Sequence, residues 1–192
     1  MGREFELKFR ADADQLAAIE ALYGDFTPIT METTYYDTPA GDLRRLHWTL
    51  RRRFENGRSV CTLKTPLPDG SRGEWETECP SIEEAIPKLC KLGAPELLAV
   101  LTEGGIEPYC GAKFLRLAKL LTLENASVEL ALDRGCLLGG GREEPFAEVE
   151  AEYKSGSEEA AVAFAESLAA RFALTPEPKS KVARAMALAQ TK

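Results

Sequence analysis

The sequence predicts an α+β fold in which an antiparallel sheet of about eight strands packs against four or five amphipathic helices. Short segments of alternating polar and apolar residues recur along the 192-residue chain, several of them joined by hairpin turn sequences. Between them lie segments with helical spacing and recognisable caps. The composition, 44% apolar and 29% charged, is that of an ordinary soluble domain, and residues 1–192 read as one domain.

Residues 3–10 alternate strictly, with Glu4, Glu6 and Lys8 on one face and Phe5, Leu7 and Phe9 on the other, which predicts a strand. Residues 12–23 open on Asp12, repeat Leu16, Ile19 and Leu22 at helical spacing and stop at Gly24, which predicts an amphipathic helix. A Thr- and Tyr-rich strand over 29–37 ends at Thr38-Pro39-Ala40-Gly41. Strands over 47–54, 59–65 and 72–79 form a meander through the turns at 55–58 and 66–70. Helices follow over 81–92, with Ser81 and Glu84 in capping-box spacing but interrupted by Pro87, and over 94–103, with Pro108 closing the helical region. A hairpin over 112–123 and 126–133 turns at Glu124-Asn125, and a further strand spans 147–153. Gly139-Gly140-Gly141 reads as a flexible loop, since no GKS or GKT follows it to make a phosphate cradle. Helices over 157–172 and 179–189 complete the chain.

With 24 Lys and Arg against 31 Asp and Glu, the net charge of −7 repels nucleic acid and anionic lipid, so neither is expected as a partner and any basic cluster is a local site. No apolar run approaches the roughly 20 residues of a membrane span, and the N-terminus lacks a secretory apolar region. A cytoplasmic location is expected. Nothing in the sequence specifies an oligomeric state. Five Cys without a Cys-x-x-Cys pair argue against a zinc or disulfide framework, and His47, the only histidine, excludes a multi-His metal site. A surface or packing role suits His47 better than catalysis. Chemistry must come from carboxylates, Lys and Arg.

Residues two apart share a strand face, and several strands carry one charged face. These faces are Glu4, Glu6 and Lys8; Arg51 and Arg53; Thr62 and Lys64; Arg72, Glu74, Glu76 and Glu78; Glu129 and Asp133; and Glu148, Glu150 and Glu152. For any single strand the simplest reading is a wet outer face. The amphipathic helices, however, need an apolar surface to cover, and the opposite strand faces supply it. If about eight strands curl into a closed barrel with the helices outside, the charged faces line a lumen wide enough for one small ligand. Carboxylates without His or Cys suit Mg²⁺ or Mn²⁺, and Arg and Lys suit phosphate oxygens. A metal-bound polyphosphate satisfies both.

At these positions the sequence resembles the CYTH superfamily, the triphosphate tunnel metalloenzymes. The resemblance rests on Glu4-x-Glu6-x-Lys8, Tyr35-Tyr36-Asp37-Thr38-Pro39, Leu50-Arg51-Arg52-Arg53, Leu63-Lys64, Arg72-Gly73-Glu74, Glu129 to Asp133, Glu148-Val149-Glu150-Ala151-Glu152, and Ser180-Lys181 with Arg184. It implies an eight-stranded antiparallel closed barrel, open as a tunnel, with the terminal helix over about 179–190 plugging or lining it. It implies metal ligation by Glu4, Glu6, Glu148 and Glu150, with Glu129 and Asp133 in the acidic set. It further implies triphosphate binding by Lys8, Arg51, Arg53, Lys64, Arg72 and Arg116, joined by Lys181 and Arg184 from the terminal helix. Arg116 reads equally well as a surface residue on an edge strand. Asp37 has a structural reading too, beside the Thr38-Pro39 turn, while Glu78 and Glu152 read as solvated rim residues.

The chemistry expected from the resemblance is hydrolysis of inorganic triphosphate with two Mg²⁺ or Mn²⁺ ions, one at Glu4 and Glu6 and one near Glu148 and Glu150, in which Glu148, Glu150, Lys8 and Lys181 act at the reacting centre. Thiamine triphosphatase and ATP cyclisation are the alternatives within the family. Thiamine-specific members carry a Trp directly before the Leu-Arg pair, where this chain has Thr49, with Trp48 one residue earlier and facing the other way. A non-catalytic polyphosphate-binding module is the alternative of another class, and four lumen carboxylates would give such a module nothing.

Overall fold

The computed structural model describes residues 5–67 and 72–190. Its elements are β1 (Glu6–Arg10), α1 (Ala13–Tyr23), β2 (Thr27–Asp37), α2 (Asp42–Arg45), β3 (Thr49–Glu55), β4 (Arg58–Pro66), β5 (Arg72–Glu78), α3 (Ile82–Lys91) and α4 (Leu97–Thr102), then β6 (Glu107–Thr122), β7 (Ala126–Gly139), β8 (Arg142–Gly156), α5 (Glu158–Arg171), β9 (Thr175–Pro176) and α6 (Lys181–Gln190). Among the described residues nine strands form one antiparallel sheet in the order β5-β4-β3-β2-β6-β7-β8-β1-β9.

Among the described residues the expected barrel is not closed by hydrogen bonds, because the edge strands β5 and β9 are not paired with each other. The outer edge of β1 is taken by the segment around β9, where Pro176 has no N–H to offer and the Glu177 N–H donates to the Lys8 carbonyl at 2.8 Å. The other edge, β5, presents alternating charged residues, which discourage further pairing. The sheet nonetheless wraps far enough that side chains of β1 and of β5 line one cavity.

The three long central strands exceed their predicted lengths because Pro108, Gly139 and Pro145 do not break them. Pro28, Pro108 and Pro145 each fall where their strand has a single neighbour, so the missing N–H costs no ladder bond. The glycine run is likewise no flexible loop. Gly140 and Gly141 both have positive φ, 59° and 73°, and make the two-residue turn between β7 and β8. Pro87 does not end α3 either, because Ser81 caps the helix and Ile82, Ala85, Ile86 and Leu89 anchor it in the core.

Helices cover both halves of the convex face. Leu16 and Ile19 of α1 and Ala161, Ala165 and Leu168 of α5 pack on Phe9, Val128, Leu130, Leu132 and Val149, while α3 and α4 pack on Leu50, Cys61 and Leu63. The terminal helix takes the opposite side. Val182, Ala185 and Met186 of α6 pack on Met31, Tyr35, Phe114, Leu137 and Phe146 of the concave face.

Gly139 sets how closely α6 approaches, since a Cβ there would stand 2.3 Å from the Ala185 carbonyl oxygen and 2.9 Å from the Ala189 nitrogen. Gly139→Ala is therefore expected to destabilise the protein by about 1–3 kcal/mol in urea unfolding. Gly104→Ala, at a position open to solvent, should be neutral or slightly stabilising. Equal effects of the two changes would show that α6 does not seat on Gly139.

Candidate functional site

Because the apolar strand faces are spent on the helices outside, the charged faces point inward. They line a cavity of about 400 Å³ bounded by residues of β1, β2, β3, β4, β5, β6, β8 and the start of α6. That volume lies in the range of small-molecule sites. Among the described lining residues Lys8, Arg51, Arg53, Lys64, Arg72, Arg116 and Lys181 face three carboxylates, Glu6, Glu150 and Glu152. A chain of net charge −7 thus concentrates positive charge in this concavity.

The wall under α6 is an ion-pair network of three acids and three bases. Arg116 donates to both carboxylate oxygens of Asp133 at 2.8 Å each and also to Glu150. Lys181 Nζ lies 2.7 Å from Glu150 Oε1, 2.8 Å from Asp133 Oδ2 and 3.3 Å from Glu148 Oε1. Arg184 donates to the same Glu148 oxygen. Beneath these cations Phe114 and Phe146 meet edge to face at 5.6 Å, with Lys181 Nζ 5.2 and 5.4 Å from their centroids and the Arg184 guanidinium 5.5 Å from that of Phe146.

Burial alone would raise the Glu150 pKa, but Lys181 and Arg116 outweigh it and hold the carboxyl down at about 2. Burial would lower that of Lys181, yet Asp133, Glu150 and Glu148 keep the ammonium above its ordinary range. Most polar atoms of the network are engaged within it, but Arg184 also lies 3.7 Å from Glu177 and its Nε is buried without a hydrogen-bond partner. Glu148 is fully buried, and its Oε2 has no hydrogen-bond partner. Such an orphaned oxygen is costly unless a cation or water meets it.

The facing wall is less well compensated. Lys8 lies 3.3 Å from Glu6, and Lys64 3.3 Å from Glu74. Arg53 reaches Thr33 and Glu55 at 3.3 Å each, and burial together with the neighbouring Arg51 pushes its pKa down. Among the described residues Arg51 makes no ion pair, and its Nε is buried without a partner. Arg72 reaches the cavity from β5 and is itself exposed. Adjacent cations with unspent donors call for an anion.

The structure brings most of the predicted residues to this one concavity. Glu6, Lys8, Arg51, Arg53, Lys64, Arg72, Arg116, Glu150 and Lys181 line it, and Asp133, Glu148 and Arg184 lie directly beneath in the network. Glu4 lies outside the described residues. Glu129 is not on the cavity wall and pairs instead with Lys154 at 3.7 Å. Arg116 is no edge residue, because β6 runs between β2 and β7. Asp37 accepts from the backbone N–H groups of Thr38 and Leu43 and from Arg44, holding the turn into α2, away from the cavity. His47 is exposed in a left-handed turn, Thr49 lines the cavity, and Trp48 packs on the convex side.

Sequence reasoning missed Tyr35, Phe114, Glu152 and Glu177. The first three lie within the predicted strands, at positions that alternation places on the same face as Arg51, Arg116 and Glu150; Glu152, read as a rim residue, lines the wall. Glu177 sits between Pro176 and Pro178, where no periodicity applies. Its fully buried side chain accepts from Arg10 at 2.5 Å and from the Lys179 N–H at 2.9 Å, and it lies 3.7 Å from Arg184.

The donor chemistry suits a hard divalent cation: oxygen ligands only, with one buried oxygen unengaged. Among the described residues no group of three His, Cys, Asp or Glu side chains is placed to hold a metal by itself. That still fits Mg²⁺, which commonly uses one or two carboxylates and completes its octahedron with water and substrate phosphates. Glu6, Glu148 and Glu150 are the side chains that would hold it. Among the described residues no helix is long and apolar enough to cross a membrane.

Comparison with known proteins bears on the fold and the family. An inorganic triphosphatase of Haemophilus influenzae is 31% identical over 137 residues, which cover 70% of this chain and 39% of that protein, so the chain spans about two fifths of the relative's length. Among solved structures, a candidate adenylyl cyclase from Hippeastrum, described as having a dominant triphosphatase activity, superposes with a TM-score of 0.65 at 19% identity over 95% of this chain and 94% of that one. A candidate adenylate cyclase from Bacillus halodurans gives 0.64 at 20% identity over 96% and 98%. These structural likenesses show the fold. The family pattern of the CYTH domain matches residues 2–186, and the chain belongs to that family.

Proposed function

We propose that the protein hydrolyses inorganic triphosphate to pyrophosphate and phosphate, assisted by Mg²⁺ or Mn²⁺. The observation that carries this reading is the pairing of an undercompensated cationic wall, centred on Arg51, with an acidic wall already neutralised by its own bases. A polyphosphate chain supplies the negative charge that Arg51 lacks, on a wall that also carries Lys8, Arg53, Lys64 and Arg72. The name of the Haemophilus relative points the same way.

Phosphoryl transfer depends on positioning and charge neutralisation more than on covalent chemistry. Arg51 and Arg53 would hold the phosphate oxygens from β3, with Lys8 and Lys64 on the flanking strands. Arg116 and Lys181, oriented by Asp133 and Glu150, would face the same chain from α6's side and offset charge on the leaving pyrophosphate. Glu150, ionised far below neutral pH, is a poor proton acceptor and positions those two cations. The unengaged Glu148 oxygen is the group free to orient an attacking water. A bound divalent ion would neutralise phosphate oxygens and acidify water. A dedicated thiamine pocket is disfavoured because Thr49, not an aromatic residue, occupies the cavity position before Leu50.

Phosphate release from tripolyphosphate, ATP, thiamine triphosphate and pyrophosphate, with Mg²⁺ and with Mn²⁺, tests the reading. Tripolyphosphate should be turned over fastest, and EDTA should abolish release. Equal turnover of ATP, or cyclic AMP as the main product, would contradict it. Steady-state kinetics separate the two walls. Arg51→Ala should raise KM roughly ten- to a hundredfold with kcat little changed, whereas Glu148→Gln should lower kcat about a hundredfold. Loss of the same parameter in both variants would show the assigned roles to be wrong.

A further inference from the structure

The Lys181 ammonium sits among three carboxylates, a donor set of the kind that hard divalent ions use. Its Nζ contacts Glu150, Asp133 and Glu148 at 2.7, 2.8 and 3.3 Å, so three carboxylates from two adjacent strands converge on one positive charge. These are N–H···O spacings, whereas Mg²⁺ requires oxygens at about 2.0–2.1 Å. The same carboxylates therefore do not form a metal cage as they stand, although each is a metal-type donor. With Arg116 and Arg184 the network is charge-balanced without any added cation. The fully buried Glu148 keeps one oxygen, Oε2, with no partner, so one coordination direction stays open beside the ammonium.

We propose that Lys181 is an internal placeholder for the divalent ion, so that metal binding requires withdrawal of its ammonium from Asp133, Glu148 and Glu150. The inference deepens the triphosphatase reading and rests on it for its biological use. Lys181 is the first residue of α6 and lines the cavity, so its side chain has a second destination, the phosphate oxygens of a bound triphosphate. Each phosphate contact that draws Lys181 away uncovers carboxylate for the metal. Binding of the anion and of the cation is then coupled through one side chain, with the same factor in both directions. Metal alone competes against a tethered ammonium and binds weakly.

The test is direct Mn²⁺ binding, followed by electron paramagnetic resonance of the free ion, with no triphosphate present. Removing a positive charge from the site should tighten Mn²⁺ binding at least about tenfold in Lys181→Met. Lys181→Gln, which keeps a polar tip and the helix start, should do the same, so that poor folding of one variant does not decide the outcome. Arg53→Met, which removes an equal charge from the opposite wall, should change the affinity far less. Glu148→Gln added to Lys181→Met should cancel the gain. Unchanged or weaker Mn²⁺ binding in both Lys181 variants, or an equal gain in Arg53→Met, would overturn the proposal. These titrations involve no turnover. If tripolyphosphate is not hydrolysed by the parent while the Lys181 variants still gain Mn²⁺ affinity, the triphosphatase reading fails and the placeholder stands.

Discussion

The concave face depends on the buried pairing of Asp133, Glu148 and Glu150 with Arg116, Lys181 and Arg184. Three carboxylates on two adjacent strands would repel one another, and each would be expensive to bury alone. The three bases make the burial tolerable, and two of them come from α6. The helix that closes the concavity is thus also part of its charge balance. The edge-to-face Phe114 and Phe146 beneath add a surface that favours cations, and Gly139 lets the α6 backbone settle close enough for Lys181 and Arg184 to reach. Packing and electrostatics fix the same helix in the same place.

Neutralising one wall has a consequence for the other. The acids under α6 are engaged by their own bases, so they do little to satisfy Arg51 and Arg53 on β3, which stand side by side with Arg51 Nε unpartnered. The net positive charge of the cavity comes from this division of labour between its walls, in a chain whose surface is otherwise acidic. On the proposed reading this division offers a polyanion a place to bind beside oxygen donors suited to a divalent ion. Glu177 adds a further constraint outside the cavity, because it ties Arg10 of β1 to Lys179, just before α6, and to Arg184 of that helix. The edge strand carrying Lys8 and the helix carrying Lys181 are therefore held to one another.

Much of this was legible in strand alternation. Lys8, Arg51, Arg53, Lys64, Glu148 and Glu150 face inward because Leu7, Leu50, Leu63 and Val149 face helices, and that parity can be read from sequence. Closure of the sheet was not legible, because it depends on whether two distant edges meet, and the segment around Pro176 fills one of them. The reach of β6 and β7 exceeds the expected one because Pro108 reads as a boundary and Gly139-Gly140-Gly141 as a flexible loop. Whether a proline breaks a strand depends on whether its N–H side has a neighbour, which is a property of the sheet. Glu177 was invisible for a related reason, since its burial arises from tertiary partners, Arg10, 167 positions away, and Arg184 of α6.

The central claim is that the cationic wall and the acidic network together form one polyphosphate site. The most direct test is a crystal structure of the protein with tripolyphosphate and Mn²⁺. The account predicts the phosphate chain lying against Arg51 and Arg53, with Lys181 moved from Asp133 and Glu150 toward it and the metal beside Glu148. A phosphate chain bound elsewhere on the molecule, or bound here with Lys181 still in its three-carboxylate position and the metal beside it, would contradict the account.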